Sequence, residues 1–386
     1  MHLMTRILRI APLPYKLRSQ RAGFEWDNLG KLRKRRGRAS DARAFYYRRI
    51  DSVAELRTRY RIRRRPRTPI DVSTTSATKL STTRRRALCA AFFGLATGCV
   101  AVPASGQQPL PFDSVAALTA PPPDHRIAYG PGPLQFGNLR LPKRPGPHPV
   151  VLFIHGGCFL SQYSISHVAA LEQAFADSGY AVWSIEYRRV GDDGGGWPGT
   201  FEDVARAADH LRSVAKQYSL DLRRVVAAGH SAGADFALWL AARNRIRPES
   251  PLRVKKPLAI RAVLALAPAP DLGALQAQGV CDHVVDKLMG GSPTTVPERY
   301  RDVSPALMIP IGVPQVVIIG GQDRNWGPPG RAYQSAVAAA RDTLVRFVDA
   351  PDAGHFDVIA PTSTSWGLVM QALRDLFGRI GADKPV

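Results

Sequence analysis

Residues 224–244 read RVVAAGHSAGADFALWLAARN: an apolar run of strand length, the turn Gly229-His230-Ser231-Ala232-Gly233, then an apolar stretch of helix length. A strand that passes into a helix within five residues, with both elements apolar, sends the helix back across the strand. That geometry belongs to a parallel sheet covered by helices. The rhythm recurs along the chain. Strand-like runs fall at 126–130, 134–141, 149–155, 180–187, 260–266, 314–321 and 343–350, and helix-length amphipathic segments at 165–178, 201–217, 232–244, 330–341 and 364–379. The pattern predicts an α/β fold with a mostly parallel, twisted sheet of about eight strands and helices on both faces. The first two runs read as an antiparallel opening hairpin. Residues 268–308 break the rhythm, being rich in Pro, Gly and Asp, and are expected to be a loop-rich cap over the carboxyl ends of the strands.

The charge is not spread along the chain. Residues 1–86 hold 25 Lys and Arg against 6 Asp and Glu, whereas the other 300 residues hold 28 against 25. Runs such as KLRKRRGR (31–38) could neutralise phosphates. The basic leader, however, ends at an export-like signal: Arg84-Arg85-Arg86, then ALCAAFFGLATGCVAVPASG over 87–106. No nucleic-acid partner is therefore expected. A cut after Ala104 would release a soluble exported protein. Alternatively, Leu95-Ala96-Thr97-Gly98-Cys99 resembles a lipobox that would leave Cys99 lipidated, the single route to a membrane. A signal in this internal place fits translation starting near Val72 or Leu80, or else a genuine basic arm. The expected organisation is a leader over 1–83, a signal over 84–106, a linker over 107–122 and one catalytic domain over 123–386.

The turn at 229–233 has the form G-x-S-x-G. Between a strand and a helix it is so tight that glycine is required on either side of the serine, whose hydroxyl is pushed outward at a helix N-terminus. Ser231 is thus the candidate nucleophile. A hydroxyl needs a base, and of nine histidines His355, in Asp352-Ala353-Gly354-His355-Phe356, follows the last strand and precedes the last helix. The base needs a carboxylate to hold one tautomer. Asp323, in IIGGQDRNW, follows the penultimate strand; Asp349 and Asp352 are rivals, one inside the strand end, the other too near His355 to reach the far ring nitrogen. Backbone donors for an oxyanion are expected at Gly156 and Gly157, in His155-Gly156-Gly157-Cys158-Phe159, together with Ala232. His155 reads as a brace for that loop and not as a base.

Taken in order, HGGCF, GHSAG, GGQDRN and AGHF resemble the esterase/lipase side of the α/β-hydrolase superfamily, and more narrowly its kynurenine-formamidase-like and feruloyl-esterase-like branch, over residues 120–382. The resemblance implies a Ser231–His355–Asp323 acyl-enzyme mechanism, transfer of an acyl group to water, and neither metal nor organic cofactor. That branch usually places Trp two residues after the second glycine, where this chain has Phe159. Phe159 and Trp197, the latter closing the glycine loop Asp192–Gly199, are candidates for the substrate pocket; Glu186-Tyr187-Arg188 reads as bracing. The implied partner is a small-molecule ester, with an arylformamide-like amide, or a non-catalytic binding protein on the same fold, as alternatives. Cys158 and Cys281 can pair only if the fold brings them together. No CxxC or His-Cys cluster suggests a metal site.

Overall fold

A computed structural model describes residues 25–26, 32–33 and 108–382. The chain divides into two units, 1–95 and 96–386. In the first, the described residues are two short strands, Glu25–Trp26 and Leu32–Arg33, paired antiparallel. The expected leader and signal otherwise lie outside the described residues.

The second unit is built on eight strands: β1 (His125–Ala128), β2 (Phe136–Arg140), β3 (His148–Ile154), β4 (Ala181–Ile185), β5 (Leu220–His230), β6 (Ala262–Leu266), β7 (Gln315–Gly320) and β8 (Val345–Ala350). Their order across the sheet is β8-β7-β6-β5-β3-β4-β2-β1. Strands β1 and β2 pair antiparallel, β2 meets β4 antiparallel, and every other pairing is parallel. This is the sheet the apolar runs announced.

The central strands are apolar throughout because both their faces are covered. Along β3, Val150, Leu152 and Ile154 enter one core with Phe201, Phe236 and Trp239, while Val151 and Phe153 enter the other with Leu171, Phe175 and Leu373. The two-residue period of a strand sends alternate side chains to opposite sides. Helices α3 (Gly199–Val214) and α4 (Ala232–Ala242) supply Phe201, Phe236 and Trp239 to the first face; α2 (Ala169–Asp177) and α9 (Trp366–Ala382) cover the second. Full burial of such side chains contributes about 1.5–3 kcal/mol each, so the central strands are fixed, and with them the ends from which the site is built.

Residues 268–308 are not loop-rich. They form three helices, α5 (Leu272–Ala277), α6 (Val280–Met289) and α7 (Pro297–Val303). Leu272, Leu275, Val284, Val285, Leu288, Tyr300 and Val303 are buried, so an apolar period is present but cut into pieces one or two turns long by Gly and Pro. The segment packs on α4: the Trp239 indole N–H donates to the Asp302 carbonyl (3.0 Å), and Arg247 grips the Asp302 carboxylate at 2.8 and 2.9 Å. Helix α8 (Gly327–Ala339) completes the first face, and a short helix α1 (Phe112–Ala116) precedes the sheet.

Candidate active site

The loops after β3, β5, β7 and β8 meet at the carboxyl edge of the sheet and surround a small cleft, about 80 Å³ in volume. Ser231 lies at its floor, between β5 and α4, with φ 55° and ψ −127°. Such a backbone conformation costs a non-glycine residue on the order of 1–3 kcal/mol and persists because its surroundings impose it. The Ser231 N–H donates to the Leu266 carbonyl at the end of β6 (2.9 Å). The flanking glycines are required by contact: a Cβ on Gly229 would lie 2.2 Å from the Gly233 carbonyl oxygen, and one on Gly233 would lie 2.1 Å from that of Ile154.

His355 and Asp323 come together as the sequence suggests. His355 Nδ1 donates to Asp323 Oδ2 at 2.6 Å, and the other carboxylate oxygen accepts the Trp326 backbone N–H at 2.9 Å. Both Asp323 oxygens are thus committed, with the side chain 3 % exposed and that of His355 14 %. Nδ1 carries the proton, which leaves Nε2 with the lone pair a base needs. Of the rivals, Asp349 bonds Arg331 at 3.0 Å on the surface and Asp352 is exposed.

Three neighbours of His355 carry no signal in the sequence. The Trp326 ring stacks on the imidazole, centroids 5.2 Å apart at 21°. His230, in sequence no more than the variable residue of the elbow, as the strand-to-helix turn at 229–233 is called, donates from Nε2 to the His355 carbonyl at 2.8 Å. Its burial, followed by the nearby His355, drives its pKa well below the ordinary value, so it stays neutral. Asp357 Oδ2 accepts the Gly354 N–H at 2.9 Å and so closes the turn that carries His355.

On the opposite wall, Gly157 lines the cleft, whereas Gly156 is buried behind it. A Cβ on Gly156 would lie 2.7 Å from the His230 carbonyl oxygen and 3.0 Å from Ser231 Cβ, so this glycine exists to let the two loops touch. Gly157, Cys158 and Phe159 all have positive φ (118°, 53° and 59°). Among the described residues no acceptor meets the N–H of Gly157 or of Ala232 at the head of α4. Those groups are available to an anion at a helix N-terminus.

The loop is braced as expected. His155 Nε2 meets Glu186 Oε1 at 2.9 Å, Arg189 bonds the same oxygen at 2.9 Å, and the Tyr187 hydroxyl donates to the His155 carbonyl at 2.9 Å. Arg188 pairs with buried Asp203 at 2.7 Å. Cys158 and Cys281 are joined in a disulfide, Cα atoms 6.1 Å apart, a pairing the sequence leaves open. Cys281, Asp282 and His283 also have positive φ (51°, 56° and 53°), so regular helix in α6 begins only after them.

The two pocket candidates are not at the cleft. Phe159 is 1 % exposed and packs edge-on against Phe236, 5.4 Å away, because the tight turn at 157–160 points it inward to the first core. Trp197 lies beside Phe201 at 5.7 Å and under the Arg299 guanidinium at 5.6 Å, and its backbone N–H donates to the Leu288 carbonyl at 2.7 Å. The cleft wall is made instead by Phe112, Tyr163, His167, Trp326 and Phe356. The expected cap contributes none of it, reaching the cleft only through the Cys281 disulfide.

This sheet, with a serine at a strained strand-to-helix turn and an Asp–His pair beside it, defines an α/β-hydrolase fold. The chain belongs to the BD-FAE family, whose model matches residues 138–332. It is 24 % identical over 246 residues to Esterase LipC of Mycobacterium tuberculosis, covering 61 % of this chain and 60 % of that one. Esterase LipI of the same organism is 32 % identical over 97 residues, 25 % and 30 % of the two chains. The chain thus spans about three fifths of LipC and under a third of LipI. Among solved structures, Esterase B from Lactobacillus rhamnosis superposes with a TM-score of 0.57 at 23 % identity, covering 69 % and 91 % of the chains. Thermogutta terrifontis Est2 does so at 0.56 and 19 %, covering 71 % and 100 %.

Proposed function

We propose that this protein is an exported serine esterase that cleaves small carboxylic esters through an acyl-enzyme. The observation that carries this reading is the shared cleft of Ser231, held at the elbow, and His355, oriented by Asp323 at 2.6 Å. Ser231 Oγ attacks the ester carbonyl carbon while His355 Nε2 takes its proton. Charge developing on the carbonyl oxygen is met by the N–H groups of Gly157 and Ala232, with Gly156 holding the loop against the elbow. Collapse expels the alcohol, which receives the proton from His355. Water, deprotonated by the same ring, then releases the acid and restores Ser231. The two mycobacterial relatives bear the name esterase, which supports ester over amide substrates.

Export rests on the signal-like segment 84–106, and the disulfide Cys158–Cys281 suits an oxidising compartment. A lipid anchor at Cys99 is the membrane-bound form of the same reading.

The test is labelling with a fluorophosphonate probe. Wild-type protein should be labelled at Ser231 and Ser231→Ala should not. Equal labelling of both would end the proposal, and absence of labelling and turnover in wild type would favour the non-catalytic reading. Comparing p-nitrophenyl acetate with N-formylkynurenine separates ester from amide specificity.

A further inference from the structure

The chain segment that precedes the sheet passes over the cleft, and it lies outside the part matched by the family model. Four contacts hold it there. The Leu110 N–H donates to Asp357 Oδ2 at 3.0 Å, the same oxygen that accepts the Gly354 N–H at 2.9 Å. One buried carboxylate therefore ties this segment to the loop carrying His355. Pro109 rests directly on Gly354, where a Cβ would lie 2.5 Å from the Pro109 Cβ; the residue before His355 has no side chain because Pro109 occupies the space. Val115 is 2 % exposed within the second core. Between these anchors the Phe112 ring sits against Tyr163 at 5.3 Å, His167 at 5.5 Å and Phe356 at 5.5 Å. All four rings line the Ser231 cleft.

We infer that residues 109–116 form a fixed strap across the active cleft and that Phe112 sets the length of the group the site accepts, making esters with a short chain at that end the preferred substrates. The inference rests on the esterase reading. A free volume of about 80 Å³ is far below the roughly 300–1,000 Å³ of sites that hold drug-sized ligands. The ring is also wedged among three others, so a longer chain cannot enter by swinging it aside without breaking those contacts. His167, whose Nδ1 donates to the Ser164 carbonyl at 2.6 Å, is neutral because burial, then the nearby His155, pushes its pKa down to about 4. The end wall is therefore uncharged, suited to a methyl or ethyl terminus.

The test measures kcat/KM for two ester series: p-nitrophenyl esters from acetate to octanoate, which vary the acyl chain, and acetates of alcohols from methanol to octanol, which vary the leaving group. Wild type should fall steeply with length in one series, which identifies the side Phe112 closes. Phe112→Ala should raise the longest-to-shortest ratio in that series (octanoate over acetate, or octyl over methyl acetate) by about tenfold or more, the range that filling or emptying a hydrophobic pocket commands. Leu110→Pro, which keeps the ring but removes the N–H bonded to Asp357, should shift the ratio in the same direction. Phe112→Trp should lower the four-carbon-to-shortest ratio in the same series (butyrate over acetate, or butyl over methyl acetate), and serves if the smaller variants fail to fold. Unchanged ratios in both series, in variants with wild-type thermal stability, would overturn the strap as a length gauge. A wild type inactive on every ester would overturn the esterase reading and this inference with it, whereas an active wild type with unmoved ratios overturns this one alone.

Discussion

Replacing Asp323 by Asn keeps the size of the side chain and removes one acceptor, and the two hydrogen bonds at that carboxylate determine the outcome. Oδ1 accepts the Trp326 N–H at 2.9 Å and Oδ2 accepts from His355 Nδ1 at 2.6 Å, so the wild-type residue answers two donors with two acceptors. An amide has one oxygen. If it keeps the Trp326 bond, the NH2 group faces His355 and selects the tautomer protonated at Nε2, which cannot take a proton from Ser231. If it turns toward His355 instead, the NH2 group meets the Trp326 N–H, leaving a donor unsatisfied where the side chain is 3 % exposed; that costs about 1–3 kcal/mol. The first arrangement is preferred, and it is the one that disables the base. The expected loss is about 10⁴-fold in kcat, or about 5 kcal/mol of transition-state stabilisation, with KM nearly unchanged. Steady-state hydrolysis of p-nitrophenyl acetate reads it directly, and the rate of fluorophosphonate labelling should fall in parallel. A loss smaller than tenfold would refute the reasoning, since the orienting carboxylate would then be another residue.

Gly233→Ala drives a Cβ to 2.1 Å from the Ile154 carbonyl oxygen and should destabilise by about 4 kcal/mol or more, lowering Tm by roughly 8–16 °C in a domain of this size; a Tm within about 2 °C of wild type would show the elbow to be looser than its contacts imply. Cys281→Ser opens a disulfide between positions 123 residues apart and should cost about 2–5 kcal/mol in urea unfolding, with kcat falling more than KM rises as Cys158 loses its tether. His167 has a folded pKa of about 4, below its unfolded value, so it binds its proton in the unfolded chain first. Stability from this residue is complete above about pH 6.5 and declines as pH falls toward 4, by about 3 kcal/mol in all. Urea midpoints at pH 7 and pH 4.5 should differ less in His167→Gln than in wild type.

The strands, the elbow and the Asp–His pair are legible in the sequence because each is written locally. A run such as PVVLFI, short and bounded by turn residues, reads as a buried strand, and the Gly-His-Ser-Ala-Gly turn falls where one such strand passes into a helix. Order along the chain then places Asp323 and His355 after β7 and β8. What escapes depends on contacts between distant segments. Nothing near Phe112 marks it as a neighbour of Tyr163 and Phe356, and Trp326 gains its place only because the turn after Asp323 folds it onto His355. Its position after two glycines points Phe159 at the pocket, yet the left-handed turn at 157–159 aims it into the core. Trp197 is drawn away by Arg299 and the carbonyl of Leu288, both in a segment that reads as loop because its helices are too short to show their period.

The disulfide joins the loop after β3 to a segment that otherwise keeps away from the cleft. Both of its ends sit in left-handed backbone, at Cys158 and Cys281. A polypeptide folding where thiols stay reduced can build the same sheet, the same elbow and the same Asp–His pair, since none of them uses this link. It would lack this covalent restraint on the loop that carries the Gly157 N–H. On the esterase reading, such a chain would have the same shape yet handle esters poorly until it reached an oxidising space. On the exported reading, the bond makes the passage across the membrane a step in the maturation of catalysis as well as of location.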